Sequence, residues 1–103
     1  MVKKTDLIKV QSFLKELKKL SIRVDALYLY GSRVKDTNNV WSDMDIAVVS
    51  HDFSGNPIKD LRMLLPVLKK TDVSIEVTRF RPEDFTEEHP LVWEIKHTGI
   101  RII

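Results

Sequence analysis

The chain contains no cysteine. That excludes a disulfide scaffold, a thiol nucleophile and a thiolate zinc site. Glycine and proline are sparse, 3 and 4 residues in 103, which argues against collagen-like or low-complexity chains. Long apolar runs are missing as well. The longest unbroken one, Ala26 to Tyr30, falls far short of the roughly 20 residues a membrane helix needs. The opening Met1-Val2-Lys3-Lys4 is not followed by the apolar stretch of a secretory signal. A soluble, cytoplasmic protein without membrane contact is expected. Charge of one sign is scarce too: the net value is +2. This permits a phosphate-bearing ligand but does not point to a nucleic-acid binder. His51, His89 and His97 have no metal-ligand spacing.

What is present suits one folded unit. Hydrophobic residues make up 43% and charged residues 31% of the chain, enough for a single core over residues 1–103. A chain of this size has little spare surface, so any chemistry should sit on one face of one sheet.

Periodicity predicts a helix over 5–20, where Leu7, Val10, Leu14 and Leu17 recur at helical spacing with Phe13 and Leu20 beside them. Lys9, Lys15, Lys18 and Lys19 lie off this stripe and read as a solvated face. Residues 25–30 predict a strand with two apolar faces, the mark of a central strand covered on both sides. The polar stretch 33–42 predicts a loop. A second strand is expected over 43–50, and a helix over 58–70 that Pro66 should kink. A third strand is expected over 73–80, one helical turn within 82–88, a short helix over 91–97 stopped by Gly99, and a short terminal strand over 100–103. Helices alternate with strands, giving a small α/β fold with one mixed sheet and flanking helices. The order of the strands is not legible at this level.

The chemistry-bearing pattern begins at Ser42-Asp43-Met44-Asp45-Ile46-Ala47-Val48. Residues two apart on a strand point the same way, with Cα atoms about 6.6 Å apart. Asp43 and Asp45 therefore project side by side, while Met44, Ile46 and Val48 face apolar packing. Two such carboxylates repel unless a proton or a cation intervenes. Mg²⁺ suits them, since it takes hard oxygen ligands, often one or two carboxylates together with substrate phosphates. The preceding strand runs into Gly31-Ser32. Glycine allows close backbone approach to a ligand, and N–H groups at a starting helical turn would face an anion. A third acid on a later strand could complete the group. Glu76 and Asp72 share the required parity. Glu76 is the stronger candidate, because an acid inside an apolar strand is costly without a partner.

An apolar strand, Gly-Ser, ten intervening residues, Asp-x-Asp and a later third acid together resemble the minimal nucleotidyltransferases of the DNA polymerase β superfamily. Leu29-Tyr30-Gly31-Ser32-Arg33 and 42–48 carry the resemblance, which extends over essentially the whole chain. It implies a polymerase β-like palm. It also implies Mg²⁺-dependent transfer of a nucleoside monophosphate, AMP from ATP, to an acceptor hydroxyl. By the same resemblance Asp43, Asp45 and the third acid bind two Mg²⁺ ions, and Gly31 and Ser32 hold the β- and γ-phosphates. The third acid would also help deprotonate the acceptor. Arg33 directly follows and is placed either to reach the triphosphate or to pair with Asp36. Trp41 is placed to stack on a base or to anchor its loop. One position departs from the family: the third acid is usually Asp, and Glu76 is one methylene longer.

In the resembled family, minimal domains are commonly paired with an all-helical HEPN protein, which they adenylylate as antitoxin to its toxin. Such a partner is expected here, and self-association of the chain is left open. The Glu at the third position keeps a second expectation alive, that of a module neutralising a helical partner by contact without turnover.

Overall fold

A computed structural model describes residues 3–31, 44–71 and 75–103. Its elements follow the order α1 (Lys4–Lys19), β1 (Ala26–Tyr30), β2 (Met44–Val49), α2 (Pro57–Leu68), β3 (Ile75–Phe80), a 3-10 turn (Pro82–Asp84), α3 (Pro90–Thr98) and β4 (Ile100–Arg101). The strands form one mixed sheet in the order β3-β2-β1-β4. β1 pairs antiparallel with both β2 and β4, whereas β2 pairs parallel with β3. A parallel pair needs a crossover, and α2 provides it. The fold class expected from the sequence is the one observed.

Parity assigns the side chains to two layers. Leu27 and Leu29 of β1 and Met44, Ile46 and Val48 of β2 face α1 and α2, meeting Val10, Phe13, Leu17, Leu64 and Val67. The alternate residues Ala26, Tyr30, Ala47, Val49 and Phe80 face α3, meeting Val92 and Ile95. β1 is thus covered on both faces, as its apolar composition predicts.

Local chemistry fixes the turns. Asn56 caps α2 by accepting the N–H groups of Ile58 at 3.0 Å and Lys59 at 3.2 Å, and Pro57 occupies the first helical position, where its missing N–H costs nothing. Buried Asp60 ties down the turn that precedes the helix. It accepts Ser54 N–H at 2.8 Å, Ser54 Oγ–H at 2.9 Å and Gly55 N–H at 3.0 Å. Burial alone would raise its pKa. The hydrogen bonds from Ser54 and Gly55, aided by the charge of Arg79, outweigh that and hold it below the ordinary value.

Several expectations shift in detail. α2 runs through Pro66 and ends two residues later at Leu68, short of the expected 70. Gly99 does stop α3, but its backbone is extended (φ −83°, ψ 171°) rather than left-handed. Its value lies in space: an added Cβ would stand 2.4 Å from the Ile95 carbonyl oxygen and 3.1 Å from that of Leu29. The terminal strand is confined to two residues, Ile100 and Arg101, set opposite Leu29 and Tyr28.

Candidate functional site

The site is built where β1 ends and β2 and β3 begin. In the parallel register Asp45 lies opposite Glu76, and in the antiparallel register Asp45 lies opposite Tyr30. Neighbouring strands are about 4.8 Å apart, and residues opposite each other share a face. Tyr30, Asp45 and Glu76 therefore form a row across three strands on the α3 side of the sheet. The parity read from the sequence holds for both acids.

Gly31 continues from Tyr30 with φ +85°, a conformation costly for residues with a Cβ. A Cβ there would stand 2.3 Å from Asp45 Oδ2 and 3.2 Å from its Cγ. The glycine is thus required twice, by its backbone angle and by the carboxylate pressed against it. Asp43, Ser32 and Arg33, with Asp72, Trp41 and Asp36, lie outside the described residues. Glu76, the preferred third acid, is described and is in register with Asp45.

Two residues that the sequence did not single out join this row. The Tyr30 hydroxyl reaches Thr78 Oγ1 at 2.9 Å. Thr78 lies opposite Ala47, so the bond spans from β1 over β2 to β3, passing the small side chain of Ala47. The second residue is Glu94 of α3. Burial pushes the Tyr30 phenol above its ordinary pKa; the Thr78 bond opposes this, and the charges of Asp45, Glu76 and Glu94 add to it. Three carboxylates from three elements thus bear on one hydroxyl. The signal for Thr78 was its place two residues after Glu76 on the same strand. For Glu94 it was an acid within an apolar helix, but only the packing of α3 shows which strand ends it meets.

Acids gathered at one end of a sheet repel each other, and a hard cation or a proton relieves the repulsion. The donors fit Mg²⁺ in kind, being all carboxylate oxygens. Among the described residues no group of three His, Cys, Asp or Glu is close enough together to hold a metal. A separate hollow of about 490 Å³, lined by Leu14, Ile22, Arg23, Val24 and Ile103 among others, lies on the α1 side of the sheet, and none of the three carboxylates borders it.

The histidines serve local roles. His89 Nδ1 accepts Leu91 N–H at 3.2 Å and caps α3. His51 Nδ1 meets Asp25 at 2.6 Å, and His97 pairs with Glu87 while stacking on Trp93. No described helix is long and apolar enough to cross a membrane.

Comparison with known proteins agrees with this fold. One solved structure of similar fold is a toxin–antitoxin with AMP-PNP, at 18% identity and a TM-score of 0.63, covering 90% of this chain and 71% of the other. A second is a protein of Sulfolobus solfataricus assigned as a nucleotidyltransferase, at 17% identity and a TM-score of 0.53, covering 90% of this chain and 84% of the other. Identities this low speak for the fold alone. No curated protein sequence matches the chain. The model of the nucleotidyltransferase domain family, however, matches residues 10–98, a span that contains the Gly-Ser, the Asp-x-Asp and Glu76, and the chain therefore belongs to the nucleotidyltransferase domain family.

Proposed function

We propose that the chain is a Mg²⁺-dependent nucleotidyltransferase that moves AMP from ATP to a hydroxyl on a helical partner protein of the HEPN type, as the antitoxin of a toxin–antitoxin pair. The observation that carries the chemistry is the row Tyr30, Asp45 and Glu76 with Gly31 against the Asp45 carboxylate, within a chain of the nucleotidyltransferase family. The partner part is supported by the fold shared with the toxin–antitoxin structure and by the family resemblance.

In this reading Asp43, Asp45 and Glu76 hold the metal. A divalent cation bound there supplies positive charge to the triphosphate and lowers the barrier to losing pyrophosphate. Gly31 lets the backbone approach the β- and γ-phosphates, and Ser32 and Arg33 donate to them. Glu76 accepts the proton of the acceptor hydroxyl. The acceptor oxygen then bonds to the α-phosphorus, the α–β phosphoanhydride bond breaks, and pyrophosphate leaves. Most of the rate gain comes from positioning and charge neutralisation. Tyr30 stays protonated, with its hydroxyl held by Thr78, and so adds no further negative charge to the row.

The test is the intact mass of the helical partner after incubation with this chain, ATP and Mg²⁺. A gain of one AMP unit that disappears with Asp45→Asn is expected. Absence of any adduct, combined with stable complex formation, would instead favour the contact-only module that the longer Glu76 keeps open.

A further inference from the structure

α2 has an outward face that the fold does not use. Leu64 and Val67 enter the core and Asp60 is committed to the preceding turn. On an adjoining side Ile58, Leu61 and Leu65 are 67%, 40% and 39% exposed. Their spacing of three and four residues places them along one stripe. Lys59, Arg62 and Lys69 are exposed and border it along one edge. Among the described residues none of these three cations pairs with an acid, and the one acid on α2, Asp60, is buried. The stripe is therefore apolar along its centre and positive along one margin.

We infer that this face of α2 is the docking surface for a partner helix with a leucine-like apolar stripe bordered by acids. Charge complementarity selects that occupant. A second copy of this chain meeting the stripe about a two-fold axis brings no acid to Lys59, Arg62 and Lys69, because the one acid of α2 is buried, and a partner helix carrying acids matches them. A lipid surface would tolerate the cations, but membrane binding scales with the apolar area a helix can insert, and of the three aliphatic side chains here Leu61 and Leu65 are only 40% and 39% exposed. A nucleic acid has no use for the apolar centre. An amphipathic helix laid along the stripe uses both the apolar centre and the charged edge.

The inference deepens the partner part of the proposed function and rests on that reading only there. α2 covers the face of the sheet opposite to Asp45 and Glu76, so docking leaves the carboxylates uncovered. Holding the partner and modifying it become separable properties, and an acceptor hydroxyl reaches the site from another region or another copy of the bound protein.

The probe is a fluorescein-labelled synthetic helical peptide with leucines at i, i+3 and i+7 flanked by glutamates, with a lysine-flanked counterpart, read by anisotropy on the whole chain. The acidic peptide should bind, weaken as salt is raised, and lose about tenfold in affinity with Leu61→Asp or Leu65→Asp. Arg62→Glu should weaken the acidic peptide and strengthen the basic one. Asp45→Asn should bind the acidic peptide like the parent chain, which separates this test from that of transfer. Thermal melts of each variant show that it is folded, and Ile58→Asp serves as replacement for one that is not. Equal binding of both peptides, no binding of either, or insensitivity to the leucine changes would overturn the inference. So would tight binding of phosphatidylserine vesicles that Leu61→Asp abolishes, or a dimer of the chain that the same change dissolves.

Discussion

Replacing Gly31 with alanine separates backbone strain from chemistry. Holding alanine at φ +85° costs about 1–2 kcal/mol. The loss of unfolded-state freedom returns roughly 0.4–1 kcal/mol. The net destabilisation is then about 1 kcal/mol, a fall of about 4–8 °C in Tm for a domain of this size. The second effect is local. The new Cβ, 2.3 Å from Asp45 Oδ2, forces the carboxylate to turn away, and misplacing a reacting group by about 1 Å can cost about 10²-fold in rate. Gly55 is the control. It has φ +88°, and its Cβ would meet the guanidinium of Arg81 at 2.8 Å, the movable end of a long side chain at the other end of β2. Gly55→Ala should match Gly31→Ala in Tm without ligand. The two should diverge in the rise of Tm with ATP and Mg²⁺ and in AMP transfer, with only Gly31→Ala losing both. Full ligand response in Gly31→Ala, or equal loss in Gly55→Ala, would refute the reasoning.

Other outcomes follow from the same geometry. Asp60→Asn should destabilise the fold by about 2 kcal/mol at neutral pH, since three donors lose a charged acceptor. Because the carboxyl is held below its unfolded value, its stabilisation is present above the unfolded pKa and lost as pH falls through the folded one. Acid unfolding below about pH 4 should therefore be shallower in that variant, as read by circular dichroism. The Tyr30 phenol is shifted the other way, so its contribution is present below the unfolded pKa of about 10 and lost above it; Tyr30→Phe should lose about 1 kcal/mol at neutral pH and less at alkaline pH. In a Tyr28→Phe background, Glu94→Gln should lower the pH at which the remaining tyrosinate absorbs, because one of the opposing charges is gone. Glu76→Gln should abolish the Mg²⁺-dependent rise of Tm with ATP while leaving the ligand-free melt within about 0.5 kcal/mol of the parent.

What the sequence revealed depended on local rules. Strand parity set Asp45 apart from Met44, Ile46 and Val48, and Glu76 apart from Ile75 and Val77, because a period of two survives whatever the neighbours are; that the two acids share a face is decided by the pairing of β2 with β3. Helix spacing identified Val10, Phe13 and Leu17 as a buried side of α1, but the same period also took in Leu7 and Leu20, which are exposed, because spacing alone does not say how far round the helix its neighbours reach. Strand order was not legible, because the parallel pairing of β2 with β3 is decided by tertiary packing across a helix and not by either strand's composition. The same limit hid Glu94, whose contribution depends on where α3 lands, and Thr78, whose partner is two strands away. Gly99 illustrates a subtler gap: its role as a helix stop was readable, but the two carbonyl oxygens crowding its Cα belong to residues 4 and 70 positions away.

The parallel pairing of β2 with β3 also has a consequence in time. β1 and β2 lie close in sequence, so they can associate while the chain is still being made. At that stage Asp45 already lies beside Tyr30. Its partner Glu76 arrives only after α2 has been synthesised and β3 has settled against β2, a non-local step that comes late in folding. A nascent or truncated chain ending before Ile75 would therefore carry half of the carboxylate pair. The pairing of Asp45 with Glu76 is thus complete only in a molecule whose parallel strand β3 is in place.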